Sequence, residues 1–113
     1  MGWPRDLPSA ASEEFDERVT GWLLDRGPSD LRSSDLRGMP VALAYVIETV
    51  VEAQIAGLRR AYATSRSELG TALSATQLVR AQAAIEAEGA RLLQVRREVA
   101  LVGEALRLRT PSS

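Results

Sequence analysis

The sequence predicts an all-α protein built on a long antiparallel helical hairpin, with a shorter N-terminal helix packed on the hairpin's open end. Three observations carry that expectation. No proline occurs between Pro40 and Pro111, so two long helices meet no backbone obstacle there. Apolar residues over that stretch recur in steps of three and four, the period of one helical face. Between them, Gly70 and Ser74 supply a helix stop and a helix start a few residues apart, which is a tight reversal.

The elements follow in order. Residues 1–11 read as an extended N-terminal arm, because Pro4, Pro8 and small residues resist regular structure. A helix is expected over about 12–26. Ser12 is its N-cap, Glu13, Glu14, Asp16 and Glu17 place negative charge at its positive end, and Gly27-Pro28 stops it. Phe15, Val19, Trp22 and Leu23 form its apolar stripe. Ser29-Asp30-Leu31-Arg32 and Ser34-Asp35-Leu36-Arg37 are two copies of a short capping sequence, too brief for a repeat architecture, and read as a connector.

The hairpin helices are expected at about 40–69 and 74–108. Pro40 suits a first helical position, where its missing N–H would be unpaired anyway. Ser74-Ala75-Thr76-Gln77 has the form of a capping box. In the second helix Leu78, Ala81, Ile85, Glu88, Leu92, Val95, Val99, Val102 and Leu106 make a heptad seam with one polar interruption. Ile47, Val51, Ile55, Leu58, Tyr62 and Leu69 answer it from the first. A fold-back centred near residue 72 aligns Glu48 and Glu52 with Arg96 and Arg97, aligns Arg59 and Arg60 with Glu86, and faces Gly57 with Gly89. Helix-interior glycines cost roughly 1 kcal/mol each against alanine, so close approach of the two helices is the expectation there. Residues 12–108 are then a single helical domain and 109–113 a disordered tail. Near the open end, Val41 to Val51 and Val99 to Leu106 are apolar on nearly every face and need cover, which the 12–26 helix offers as the third member of a three-helix base.

Composition excludes much chemistry. The 113 residues contain no His and no Cys, so neither a disulfide framework nor a Cys/His zinc site can be built. General base and nucleophile roles would fall to Ser, Asp, Glu or Tyr, and no nucleophile elbow, phosphate loop or dinucleotide fingerprint occurs. The expectation is a protein that is not an enzyme and carries no cofactor and no metal. Glu88 in the seam reads as a polar residue that fixes register. All 14 basic residues are Arg, and the vocabulary without Lys or Asn suggests a high-GC bacterial source. The opening Met1–Asp6 lacks a basic segment followed by an apolar one, and the longest apolar run, Val41–Ile47, is far short of the ~20 residues that span a bilayer. A cytoplasmic protein with no membrane partner is expected. Small secreted helical hairpins of the W-x-G type share this length and topology, but neither Trp3 nor Trp22 has a glycine two residues on, so no family is claimed.

Three function classes remain. The leading one is a helical protein–protein interaction module, self-associating as a homodimer through the hydrophobic base. Its candidate anchors are Trp3, Arg5 and Leu7 on the arm, together with Trp22, because Trp and Arg dominate interface hot spots. The second is nucleic-acid binding. Residues 1–52 hold 5 Arg and 10 acids, net −5, whereas residues 53–113 hold 9 Arg and 5 acids, net +4. Arg59, Arg60, Arg66, Arg80 and Arg91 would line a helical arm that grips phosphates. The third is a small-ligand pocket in the three-helix base.

Overall fold

In a computed structural model, which describes residues 2–109, the chain is all-helical. Helix α1 spans Glu13–Leu24, two short 3-10 turns cover Ser29–Ser33 and Asp35–Gly38, α2 spans Pro40–Leu69 and α3 spans Ala75–Arg109. The two long helices pack antiparallel, and α1 lies against α2. Of the expected tail, Arg109 is the last residue of α3 and the rest lies outside the described residues.

Local chemistry accounts for the boundaries. Ser12 caps α1 by accepting from the Glu14 amide at 3.1 Å. The helix ends at Leu24, two residues before the expected limit, because the Arg26 and Gly27 amides turn back three residues, to Leu23 and Leu24, and tighten the last turn. Gly27 is required where it stands, since a Cβ there would come within 2.9 Å of Ile47 Cγ1. The capping box before α3 is complete. The Gln77 amide donates to Ser74 Oγ at 3.1 Å, and the Ser74 amide donates to Gln77 Oε1 at 2.9 Å.

The core sits at the open end. Phe15, Val19, Trp22, Leu23 and Leu24 of α1 enclose, with Leu43, Ile47, Val51, Val99, Val102 and Leu106, one contiguous apolar cluster whose outermost members are Ile55 and Leu92. Each fully buried side chain of this kind stabilises the fold by about 1.5–3 kcal/mol. Beyond Ile55 on α2 and before Leu92 on α3, just Ser65 and Leu78 are buried. The molecule is therefore a three-helix base carrying a two-helix arm. Its extents of 57 × 29 × 21 Å and radius of gyration of 17.5 Å exceed the ~13 Å of a compact domain this long.

Residues 2–8 do not stand away from this base. The Trp3 ring packs 5.9 Å from Phe15, and its indole N–H donates to the carbonyls of Leu7 and Pro8. Pro4 and Leu7 are buried. Asp6 accepts from the Trp22 indole at 2.8 Å and from Arg26 at 2.8 Å, while Arg26 stacks 3.8 Å above the Trp22 ring. At the other end of the chain, Arg109 donates to Asp16 at 2.6 Å and to the Ala10 carbonyl, tying the end of α3 to α1.

The hairpin register is close to the expected one but has a different origin. A Cβ on Gly103 would lie 3.4 Å from Ala44 Cβ, and Gln82 donates to Ser65 Oγ at 3.0 Å. Both pairs centre the fold-back between residues 73 and 74. The expected ion pairs of Glu48 and Glu52 with Arg96 and Arg97, and of Arg59 and Arg60 with Glu86, are absent among the described residues. Exposed pairs gain at most about 1 kcal/mol and must immobilise two long side chains, so hydration competes successfully. The glycine expectation is also corrected. Nothing lies within 4 Å of a Cβ built on Gly57 or Gly89, so neither marks a close approach.

Candidate functional site

An uncovered apolar groove lies on the arm. Ile55, Leu58, Arg59 and Tyr62 of α2 and Ile85, Glu86, Gly89, Ala90 and Leu93 of α3 line an open groove of about 390 Å³. None of them belongs to α1 or to residues 2–8, so the groove lies on helices that the base does not cover. Its origin is local. In the base the seam residues are capped by a third helix, whereas in the arm the same stripe has one partner helix and stays half open. Tyr62 keeps 40% of its surface exposed although it continues the stripe of Ile47, Val51 and Ile55. Gly89 deepens the groove because it contributes no side chain between Ile85 and Leu93.

Polar groups mark the rims. Arg59 borders the groove from α2 and Glu86 from α3, and neither takes part in an ion pair among the described residues. Glu88, expected in the seam, has instead turned to its edge. Its side chain is 45% exposed and chelated by Arg91 on the next turn, at 2.7 and 2.8 Å. That guanidinium holds the Glu88 carboxyl below its ordinary value. The drift of a nearly straight helix against a 3.5-residue repeat, about 20° per heptad, moves such a position off the contact line.

The sequence-derived candidates fall into two groups. Leu7 and Trp22 are buried in the base and Trp3 is half-buried against Phe15, so the docked conformation uses all three internally. Arg5 is exposed at a shallow polar depression shared with Trp3, Asp6, Arg26, Gln94 and Glu98. Arg59, Arg60, Arg66, Arg80 and Arg91 are all exposed on the arm, and helical geometry divides them among faces, Arg59 with Arg66 on one side of α2, Arg60 on another, and Arg80 with Arg91 on one side of α3. Arg59 borders the groove, whereas Arg80 and Arg91 lie about 120–140° around α3 from Glu86.

Sequence reasoning aligned Glu86 with Arg59 but missed Leu93 as a partner of the seam. The signal was the doublet Leu92-Leu93, three and four residues after Gly89, in which Leu92 enters the base core and Leu93 turns to the groove. In the base, side chains of α1 pack against those of α2 and α3 as one apolar cluster. No cluster of three or more potential metal ligands occurs among the described residues. Helix α2 is long and apolar enough by composition to cross a bilayer, which for one helix is weak ground. The useful fact is that its most apolar stretch is only 28% buried, so much of that surface still faces outward. Comparison with known proteins gives no match to any family model, curated protein or solved structure.

Proposed function

We propose that this chain is a non-enzymatic helical interaction module that binds protein through the arm of its hairpin. The observation that carries this reading is the open apolar seam of Leu58, Tyr62, Ile85 and Leu93, rimmed by Arg59 and Glu86, neither of which is in an ion pair among the described residues. A contiguous apolar patch with a polar rim is the anatomy of a protein interface. The seam also runs along two helix axes, the shape that accepts another helix. The base draws cover from α1 and residues 2–8, which the arm lacks, although Met39, Tyr45 and Leu108 stay exposed in the base as Tyr62, Leu69 and Val79 do in the arm.

The nucleic-acid reading has less support. Phosphate binding needs cations gathered on one face, and here Arg91 is neutralised by Glu88 while Arg59 and Arg80 sit on different sides of the hairpin. A small ligand would meet a groove open along one side, with two charged groups and few directed hydrogen-bond donors to orient it.

A photo-crosslinking amino acid placed at Tyr62, with Arg37 on the connector as control, tests the reading in cells that make the full chain. Covalent protein adducts from position 62 and none from position 37 are expected. Absence of protein adducts at 62, or adducts with nucleic acid instead, would overturn it.

A further inference from the structure

We infer that the occupant of the arm groove is a second copy of this chain, laid face to face so that α2 of each copy lies over α3 of the other and the two arms form a four-helix bundle. The inference rests on the interaction-module reading and adds the partner's identity.

Charge complementarity selects the partner and the geometry. Arg59 on α2 and Glu86 on α3 flank the same apolar groove, and both lack an ion-pair partner within the chain among the described residues. With the fold-back between residues 73 and 74, Glu86 lies opposite position 61, so Arg59 and Glu86 stand at nearly the same height along the arm. A two-fold axis parallel to the helices exchanges the positions of α2 and α3 without changing height. It therefore sets Arg59 of each copy against Glu86 of the other, giving two equivalent pairs at the margins of a closed apolar seam. A perpendicular axis through the middle of the groove would bring Arg59 near its own mate and Glu86 near its own mate, and like charges oppose that arrangement. An unrelated partner helix would have to supply both complementary charges itself. A second copy supplies them by symmetry.

Area and stability point the same way. The face of the hairpin away from α1 carries a second shallow depression, lined by Tyr45, Glu48, Ala100, Gly103, Glu104 and Arg107, again with no contribution from α1 or residues 2–8. A face about 45 Å long and about 20 Å wide offers roughly 900 Å², which is the share each partner gives to a standard interface. The arm also gains most from cover. With Ser65 and Leu78 its sole buried side chains among the described residues, it is a pair of helix ends with little core, and helices in proteins draw most of their stability from such packing. Packing four helices around Leu58, Tyr62, Ile85 and Leu93 gives that segment the core that the base already has.

The test is the mass of the full-length protein in solution, by light scattering across a concentration series, for the wild type, R59E, E86R and the double swap R59E/E86R. The wild type is expected to be a dimer of the 12.2 kDa chain. Each single reversal should raise the dimer dissociation constant at least about tenfold, and the double swap should restore it to within about threefold. These positions are exposed, so helical content by circular dichroism should be unchanged in all four proteins. A wild type that is monomeric throughout, single reversals that leave the dimer unaffected, or a double swap that fails to restore it would each overturn the inference. If the wild type is monomeric yet position 62 still crosslinks to a different protein, the second copy is excluded while the interaction-module reading stands. If position 62 gives no protein adduct, both fall.

Discussion

Replacing Gly57 by alanine should stabilise the protein, and the expected size can be worked from the structure. Gly57 lies in the interior of α2, on its exposed side, and nothing stands within 4 Å of the Cβ that alanine would add. No steric cost therefore offsets the gain in helix propensity, which is about 0.8–1 kcal/mol for an exposed helix interior. With an unfolding entropy near 2.1 cal/mol/K per residue, 113 residues give roughly 0.24 kcal/mol/K, so the melting temperature should rise by about 4 °C. Gly57 does not line the arm groove, so the effect should not depend on association. Urea titration followed by circular dichroism at 222 nm, at fixed protein concentration, measures it directly. A loss of about 1 kcal/mol or more would refute the reasoning, because it would mean that the glycine permits a close helix approach after all.

Other substitutions probe the base and the seam. Phe15→Ala empties a fully buried site in the base and should cost about 3–5 kcal/mol, read as a lower urea midpoint. Ser65→Ala removes the acceptor for Gln82 and should cost about 0.5–1.5 kcal/mol, with a double-mutant cycle against Gln82→Ala recovering most of it as coupling. Asp6 carries a pH signature. The Trp22 indole N–H, and after it Arg26, hold its carboxyl below the ordinary value of 3.8. That stability is present above the ordinary value and is lost as pH falls through the lowered one. With the Asp6 side chain 61% exposed, the effect is modest. Melting temperatures of the wild type and Asp6→Asn should therefore differ at pH 6 and converge toward pH 2, and parallel curves would contradict the assignment.

The fold was legible because its determinants are local and periodic. The capping box Ser74–Gln77 and the stripe Leu92, Val99, Val102, Leu106 each dictate structure within a turn or two, whereas Gly70, at which α2 stops as expected, keeps right-handed angles (φ -62°, ψ -24°) and is no left-handed cap. What sequence reading misplaced depended on helix rotation and on solvent. Glu88 occupied a seam position by count, yet a few tens of degrees of drift put it in water beside Arg91. The Glu–Arg pairs expected across the hairpin fit the register by number, but long exposed side chains pay more entropy than such pairs return. Gly57 and Gly89 agreed with a facing register for a reason unconnected with contact. The docking of Trp3, Pro4 and Leu7 on the base joins apolar packing against Phe15 to contacts of Asp6 with Trp22 and Arg26, whose sequence separations of 16 and 20 residues show no local pattern. The groove was half visible. Its α2 wall is the heptad stripe, whereas its α3 wall needs Gly89 and Leu93 seen together in space.

Hydrogen exchange of the full chain, read by mass spectrometry at two protein concentrations about a hundredfold apart, tests the central claim most directly. If the arm groove is where a second copy binds, amides from about residue 56 to residue 90 should exchange markedly more slowly at the higher concentration. Those of α1, residues 13–24, on the opposite face of the hairpin, should be protected equally at both. Arm protection that does not change with concentration, or a change confined to the base, would contradict it.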